Sequence, residues 1–145
     1  MEYQGKVLGV DYGDVRTGLA VSDPTGMLAS GIMTIKENGM RNTAKRVAAE
    51  AAARDAVAIV VGLPKNMNGT EGPRAEVVRA FAELLREETP LEIVFCDERM
   101  STMEAYRFLS ATETFGKKRR DVVDTLSAEI ILQSWLDREK NKSER

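Results

Sequence analysis

Apolar residues are arranged along the chain in two rhythms. Near-continuous apolar runs occur at KVLGVDYG (6–13), AVAIVVGLP (56–64) and LEIVFCDE (91–98), the pattern of strands buried on both faces. RTGLAVSD (16–23) and LASGIMTIK (28–36) follow the first run across short Gly/Pro turns, which predicts an antiparallel meander. The second rhythm is helical. MRNTAKRVAAEAAAR (40–54) is Ala-rich and has high intrinsic helix propensity. Pro73 stands where a helix can begin, and Val77, Val78, Phe81, Leu84 and Leu85 give that helix an apolar stripe. Between them, KNMNGTEG (65–72) is a turn-rich loop. Ser101 and Glu104 form a capping box that opens a short helix. A loop over 111–119 ends in basic residues, a final helix runs from about 121 to 138, and the tail DREKNKSER is expected to fray.

The order β-β-β-α-β-α-β-α-α predicts an α/β domain over residues 1–138 and a charged, flexible tail over 139–145. Its core is a single mixed five-stranded sheet, antiparallel through strands 1–3 and parallel thereafter, with helices on both faces.

Composition narrows the chemistry. A chain of 145 residues suffices for one domain with a core of its own. No apolar run approaches the roughly 18 residues of a membrane span. The N-terminus MEYQGK lacks the apolar stretch of a signal peptide, so a cytoplasmic address is expected. Cys96 is the sole cysteine, which removes an intramolecular disulfide and a cysteine-rich zinc site. The absence of histidine excludes Ser-His-Asp and Cys-His catalysis and every His-based metal site. Carboxylates, Lys/Arg, hydroxyls and backbone amides remain, and carboxylate-rich sites prefer hard cations such as Mg²⁺ or Mn²⁺. Lys and Arg total 21 against 23 Asp and Glu, a net charge of −2. That balance is not the footprint of a strong nucleic-acid binder, yet KKRR at 117–120 is a compact basic cluster.

Five acids occupy positions that solubility does not explain. Asp11 ends the first apolar run, and Asp97 and Glu98 end the run at 91–98. If these strands run parallel, their acidic ends share the sheet edge where α/β proteins bind ligands. Asp121 and Asp124 lie three apart on one helical face, and steps from Asp124 lead to Ala128, Ile131 and Trp135, the face that should pack on the sheet. Each acid has a plainer reading: Asp121 as a helix cap, Asp11 as an Asx turn, Asp97-Glu98-Arg99 as a surface ion-pair cluster. Together they suit two-metal chemistry, in which a pair of divalent cations relieves carboxylate repulsion and stabilises both oxygens of phosphodiester cleavage.

The segments GVDYGDVRTGLAVSD, IVVGLPKNMNGTEG, DERMST and VVDTLSAEIIL resemble the YqgF/RuvX family, in that order and over almost the whole chain. The resemblance implies the RNase H-like fold of RuvC-type Holliday-junction resolvases and a nuclease maturing the 5′ end of pre-16S rRNA. Met100 stands where leucine is usual, and RRDV precedes Asp124. Carried across, the family's acidic positions fall on Asp11, Glu98 and Asp124, with Asp121 a candidate accessory ligand for one of two Mg²⁺ or Mn²⁺ ions. Asp11 would bridge the ions, and Glu98 and Asp124 would each hold one side. Asp97 competes with Glu98, because neighbours on a strand face opposite ways. Lys65 and Asn66 sit in a loop that could close over a phosphate. Arg16, Arg99, Lys117, Lys118, Arg119 and Arg120 are candidate backbone contacts.

Three other functions compete. DYGDVRTGLAVSD also resembles the phosphate loop of actin-like ATPases, which clamp ATP between two domains where this chain has length for one. A non-catalytic factor on RNA, the ribosome or the transcription machinery is a second. Cleavage of branched DNA is a third, and it would call for a homodimer rather than a monomer.

Overall fold

The computed structural model describes residues 4–97 and 116–143, with 116–124 as backbone. The first apolar run forms β1 (Lys6–Asp11), followed by β2 (Thr17–Ser22) and β3 (Ala29–Ile35). Helix α1 (Met40–Ala53), β4 (Ala56–Leu63), α2 (Pro73–Glu88) and β5 (Glu92–Asp97) come next. A long helix, α3 (Gly116–Ser143), closes the chain. The five strands make one sheet in the order β3-β2-β1-β4-β5. β1 pairs antiparallel with β2 and β2 with β3, whereas β4 runs parallel to both β1 and β5. The expected mixed sheet is therefore observed, with β1 at its centre and the carboxyl ends of β1, β4 and β5 at one edge.

Strand alternation divides the core into two layers. Leu8, Val10, Ile59, Val61 and Ile93 face α1 and α2, and Phe81 and Leu85 of α2 are fully buried against them. Val7, Ala20, Ala58, Val60 and Cys96 face α3, meeting Ala128, Ile131, Leu132, Trp135 and Leu136. β1 and β4 read as continuous apolar runs because each is covered on both sides. Helix α3 approaches so closely that a Cβ built on Gly9 of β1 would stand 2.7 Å from the Leu132 Cβ and 3.3 Å from the Ala128 carbonyl oxygen. Gly31 of β3 makes the same accommodation for Thr125, at 3.0 Å from its Cβ.

The last helix departs from expectation at both ends. It begins at Gly116, inside the stretch read as loop, and continues through Ser143, past the point where fraying was expected. Side-chain ties along successive turns hold its C-terminal part: Gln133 Nε2 donates to Asp137 Oδ1 at 3.0 Å, and Lys142 Nζ lies 3.2 Å from Glu139 Oε1. Gln133 also clamps the start of β3, accepting from the Ala29 amide at 2.9 Å and donating to the Met27 carbonyl at 3.0 Å. No helix among the described residues is long and apolar enough to cross a membrane.

Candidate active site

Asp11 is the last residue of the central strand and is half-buried. Val7 and Gly9 of the same strand face α3, so alternation places the Asp11 side chain on the α3 layer. Its cross-strand neighbour on β2 is Gly18. On the other side, Val10 is level with Val61, so the residue beside Asp11 on β4 is Gly62. Neither adjacent strand contributes a side chain next to the carboxylate. Asp11 thus stands in a notch floored by backbone, a space that two ordinary strand residues would fill.

Helix α3 runs toward this edge with its N-terminal half. Ala128 lies over Gly9, and from there Asp124 is one turn back, about 6 Å along the axis. Asp11 is two residues beyond Gly9, about 6.6 Å along the strand. Asp124 therefore stands one turn from Ala128 toward the α3 N-terminus, with Asp121 most of a turn further out.

Asp97 behaves differently. It ends β5 opposite Leu63, and the alternation of that strand sends Ile93 and Phe95 to the α1/α2 layer and Val94 and Cys96 to the α3 layer. Asp97 follows Phe95, on the face away from Asp11. Glu98, Arg99, Ser101 and Glu104 lie outside the described residues, as do the side chains of Lys117, Lys118, Arg119, Arg120, Asp121 and Asp124. Among the described residues no group of three or more metal-ligating side chains occurs.

Two loops border the notch, and α2 holds both. The turn after β1 is tight: a Cβ on Gly13 would fall 2.1 Å from the Arg16 carbonyl oxygen, so only glycine fits. Buried Thr17 closes it from within, its hydroxyl accepting from the Gly13 amide and donating to the Gly13 carbonyl, both at 3.3 Å. Tyr12 stacks on Phe81 with ring centroids 4.3 Å apart. Burial raises the Tyr12 phenol pKa, and Asp14 adds to the rise while Arg74 opposes it. From outside, Arg74 donates to the Tyr12 carbonyl and to Asp14 Oδ1, each at 2.9 Å. Arg16, half-buried, ends the turn just before β2.

The β4–α2 loop is closed on itself. The Asn66 amide donates to the Thr70 carbonyl at 2.8 Å, and Asn66 Nδ2 donates to Thr70 Oγ1 at 3.0 Å. Asn68 Oδ1 accepts from the Thr70 hydroxyl at 2.6 Å and from its amide at 3.1 Å. The Asn66 side chain is therefore already engaged, and Lys65 is half-exposed beside it. Arg79 anchors the loop's end, donating to both Glu71 carboxylate oxygens at 2.7 and 2.8 Å. These bonds hold the Glu71 carboxyl below its usual pKa. Arg74, Tyr12 and Thr17 escaped sequence reasoning. Pro73 marked the start of α2, but no sequence signal pairs Arg74 with a turn 62 positions earlier.

Comparison with known proteins supports the same reading of the fold. A family profile described as "RuvX: Holliday junction resolvase" matches residues 5–138. A protein of Clostridioides difficile (strain 630), named "Putative pre-16S rRNA nuclease", is 44% identical over 133 residues, 92% of this chain and 94% of its own. One of the same name from Bacillus cereus (strain AH187) is 47% identical over 135 residues, 92% of this chain and 98% of its own. Among solved structures, T. thermophilus RuvC in complex with a Holliday junction substrate superposes with a TM-score of 0.58 at 14% identity, covering 94% of this chain and 96% of that one. The fowlpox virus Holliday junction resolvase gives 0.53 at 12% identity, covering 91% and 98%. Identities that low speak for the fold alone, which is the RNase H-like architecture of RuvC-type resolvases. The sequence matches go further, because they span nearly all of the chain: it belongs to the RuvX family.

Proposed function

We propose that this protein is a cytoplasmic, divalent-metal-dependent nuclease that hydrolyses RNA phosphodiester bonds at the 5′ end of pre-16S rRNA, with Asp11, Glu98 and Asp124 as its acidic residues. The observation that carries the proposal is the placement of Asp11, which ends the central strand between Gly18 and Gly62, two residues beyond the Gly9 that α3 covers with Ala128 and Leu132. A rigid carboxylate flanked on both adjacent strands by glycine leaves room for a phosphate to approach. Oxygen donors without histidine fit Mg²⁺ or Mn²⁺. Asp11, Glu98 and Asp124 would hold the ions, Asp11 from the central strand and the other two from the end of β5 and from α3. Glu98 is preferred to Asp97 because Asp97 takes the face of Phe95, away from Asp11. The chemistry supplied by bound divalent ions is charge stabilisation of the attacking and leaving oxygens. The residues of the chain hold that charge in place, position the phosphate against the glycine-lined floor, and draw the substrate backbone to basic groups at the edge. The names of the relatives supply the rRNA substrate.

The test is a substrate panel of pre-16S rRNA 5′ segments, single-stranded DNA, a four-way DNA junction and ATP, each with Mg²⁺, Mn²⁺ or chelator. Metal-dependent cleavage of the rRNA segment, lost in Asp11→Asn and Asp124→Asn, is expected. Cleavage confined to the junction would transfer the site to DNA resolution, the activity in the family's description. Cleavage that survives both substitutions would overturn the assignment.

A further inference from the structure

We propose that Arg74 is a positioning residue for Asp11, its guanidinium forking across the β1–β2 turn to fix the peptide that follows the carboxylate. The proposal rests on Asp11 being a metal ligand. One nitrogen donates to the Tyr12 carbonyl at 2.9 Å and the other to Asp14 Oδ1 at 2.9 Å. The guanidinium carbon also lies 5.5 Å from the centroid of the Tyr12 ring, which is itself stacked on Phe81. One side chain from the first turn of α2 therefore touches three groups of a single turn, beginning at the residue after Asp11.

Stability is a poor explanation for this arrangement. The Arg74 and Asp14 side chains are 41% and 72% exposed, and exposed ion pairs contribute little. The bond to the Tyr12 carbonyl is different: it is charge-assisted, half-buried and directed at the backbone. Arg74 extends from the α1/α2 layer, whereas Asp11 faces α3, so the guanidinium acts through the peptide and not by touching the site. Thr17 locks the turn from inside and Arg74 from outside. Removing the outer brace leaves the Tyr12–Gly13 peptide with the longer 3.3 Å bond from the Gly13 amide to Thr17 on its inner side and loosens the strand end. A metal ligand must be held to within about half an ångström, and loss of a supporting bond typically lowers metal affinity about 10–100-fold.

The fork is essential to the argument, because lysine keeps the charge but cannot donate along two fixed directions. The experiment titrates Mn²⁺ alone against the thermal unfolding midpoint of wild type, Arg74→Lys, Arg74→Met and Asp11→Asn. Wild type is expected to be stabilised by Mn²⁺, and Asp11→Asn is not. Both Arg74 variants should need about tenfold more Mn²⁺ for half the effect, while their midpoints in chelator stay within about 4 °C of wild type. A wild-type Mn²⁺ response in Arg74→Lys would show that charge alone matters and overturn the proposal. So would a lowered midpoint in chelator with an unchanged Mn²⁺ response, the mark of a purely structural role. Should Arg74→Met fail to fold, Arg74→Lys decides the matter. Stabilisation of wild type that persists in Asp11→Asn, or none in wild type, removes Asp11 as a ligand and the inference with it.

Discussion

Asp11 illustrates how a single residue reveals its chemistry by what surrounds it. A carboxylate at the end of a core strand is costly unless compensated, and here both flanking positions are glycine. Replacing it with asparagine keeps the volume and removes the charge, so the fold should survive while cleavage falls by about 100-fold or more, as expected for loss of several kcal/mol of charge stabilisation. Circular dichroism and a cleavage assay on one preparation check both halves. Gly9 makes the opposite case, a residue whose importance is purely steric. Its Cβ would meet Leu132 at 2.7 Å and the Ala128 carbonyl at 3.3 Å, backbone and near-backbone atoms with little freedom to move. Gly9→Ala should cost about 1–3 kcal/mol in chemical denaturation; a stability equal to wild type would mean that α3 shifts freely. Asp11 was legible in the sequence because a lone acid ends an apolar run. Gly9 was not, since only the crossing of α3 shows why a glycine belongs in mid-strand.

At the scale of elements, the strands and first two helices follow from periodicity because burial and pattern agree: β1 and β4 are covered on both faces, and α2 buries one stripe. The last helix was harder to bound. Its basic start, KKRR, carries no apolar period, and its polar end is held by contacts such as Gln133 with Met27 and Ala29, more than a hundred positions away. The β4–α2 loop looked open in sequence and is instead a set of side-chain and backbone hydrogen bonds ending in the Glu71–Arg79 pair. That pair makes a pH prediction. Hydrogen bonding from Arg79 lowers the folded-state pKa of Glu71, so the unfolded chain binds the proton more readily. The contribution is present above the ordinary glutamate value and is lost as pH falls through the lowered one. Wild type should therefore exceed Glu71→Gln in thermal midpoint near neutrality, and the two should converge in acid. A gap that is constant across that range would contradict the assignment.

For the whole molecule, topology does what local pattern cannot. Parallel pairing through β4 brings Asp11 and the end of β5, from distant parts of the chain, to one sheet edge. The sequence located the acids but not their faces, because choosing between Asp97 and Glu98 requires the register of an edge strand. Net charge presents a similar limit: −2 overall conceals the clustering of four basic residues at 117–120. If that cluster binds a nucleic-acid backbone, affinity must fall with salt, since each neutralised phosphate releases counterions. For a single-stranded RNA the logarithmic slope is about −0.7 per phosphate contacted. Replacing Lys117, Lys118, Arg119 and Arg120 by glutamine should flatten that slope by up to about 3 and weaken binding at low salt, while the Mn²⁺ response that depends on Asp11 is retained. An unchanged slope would assign the cluster to solvent and leave the substrate to be held by the edge around Arg16 and Lys65, so the measurement distinguishes two binding surfaces that charge counting treats as one.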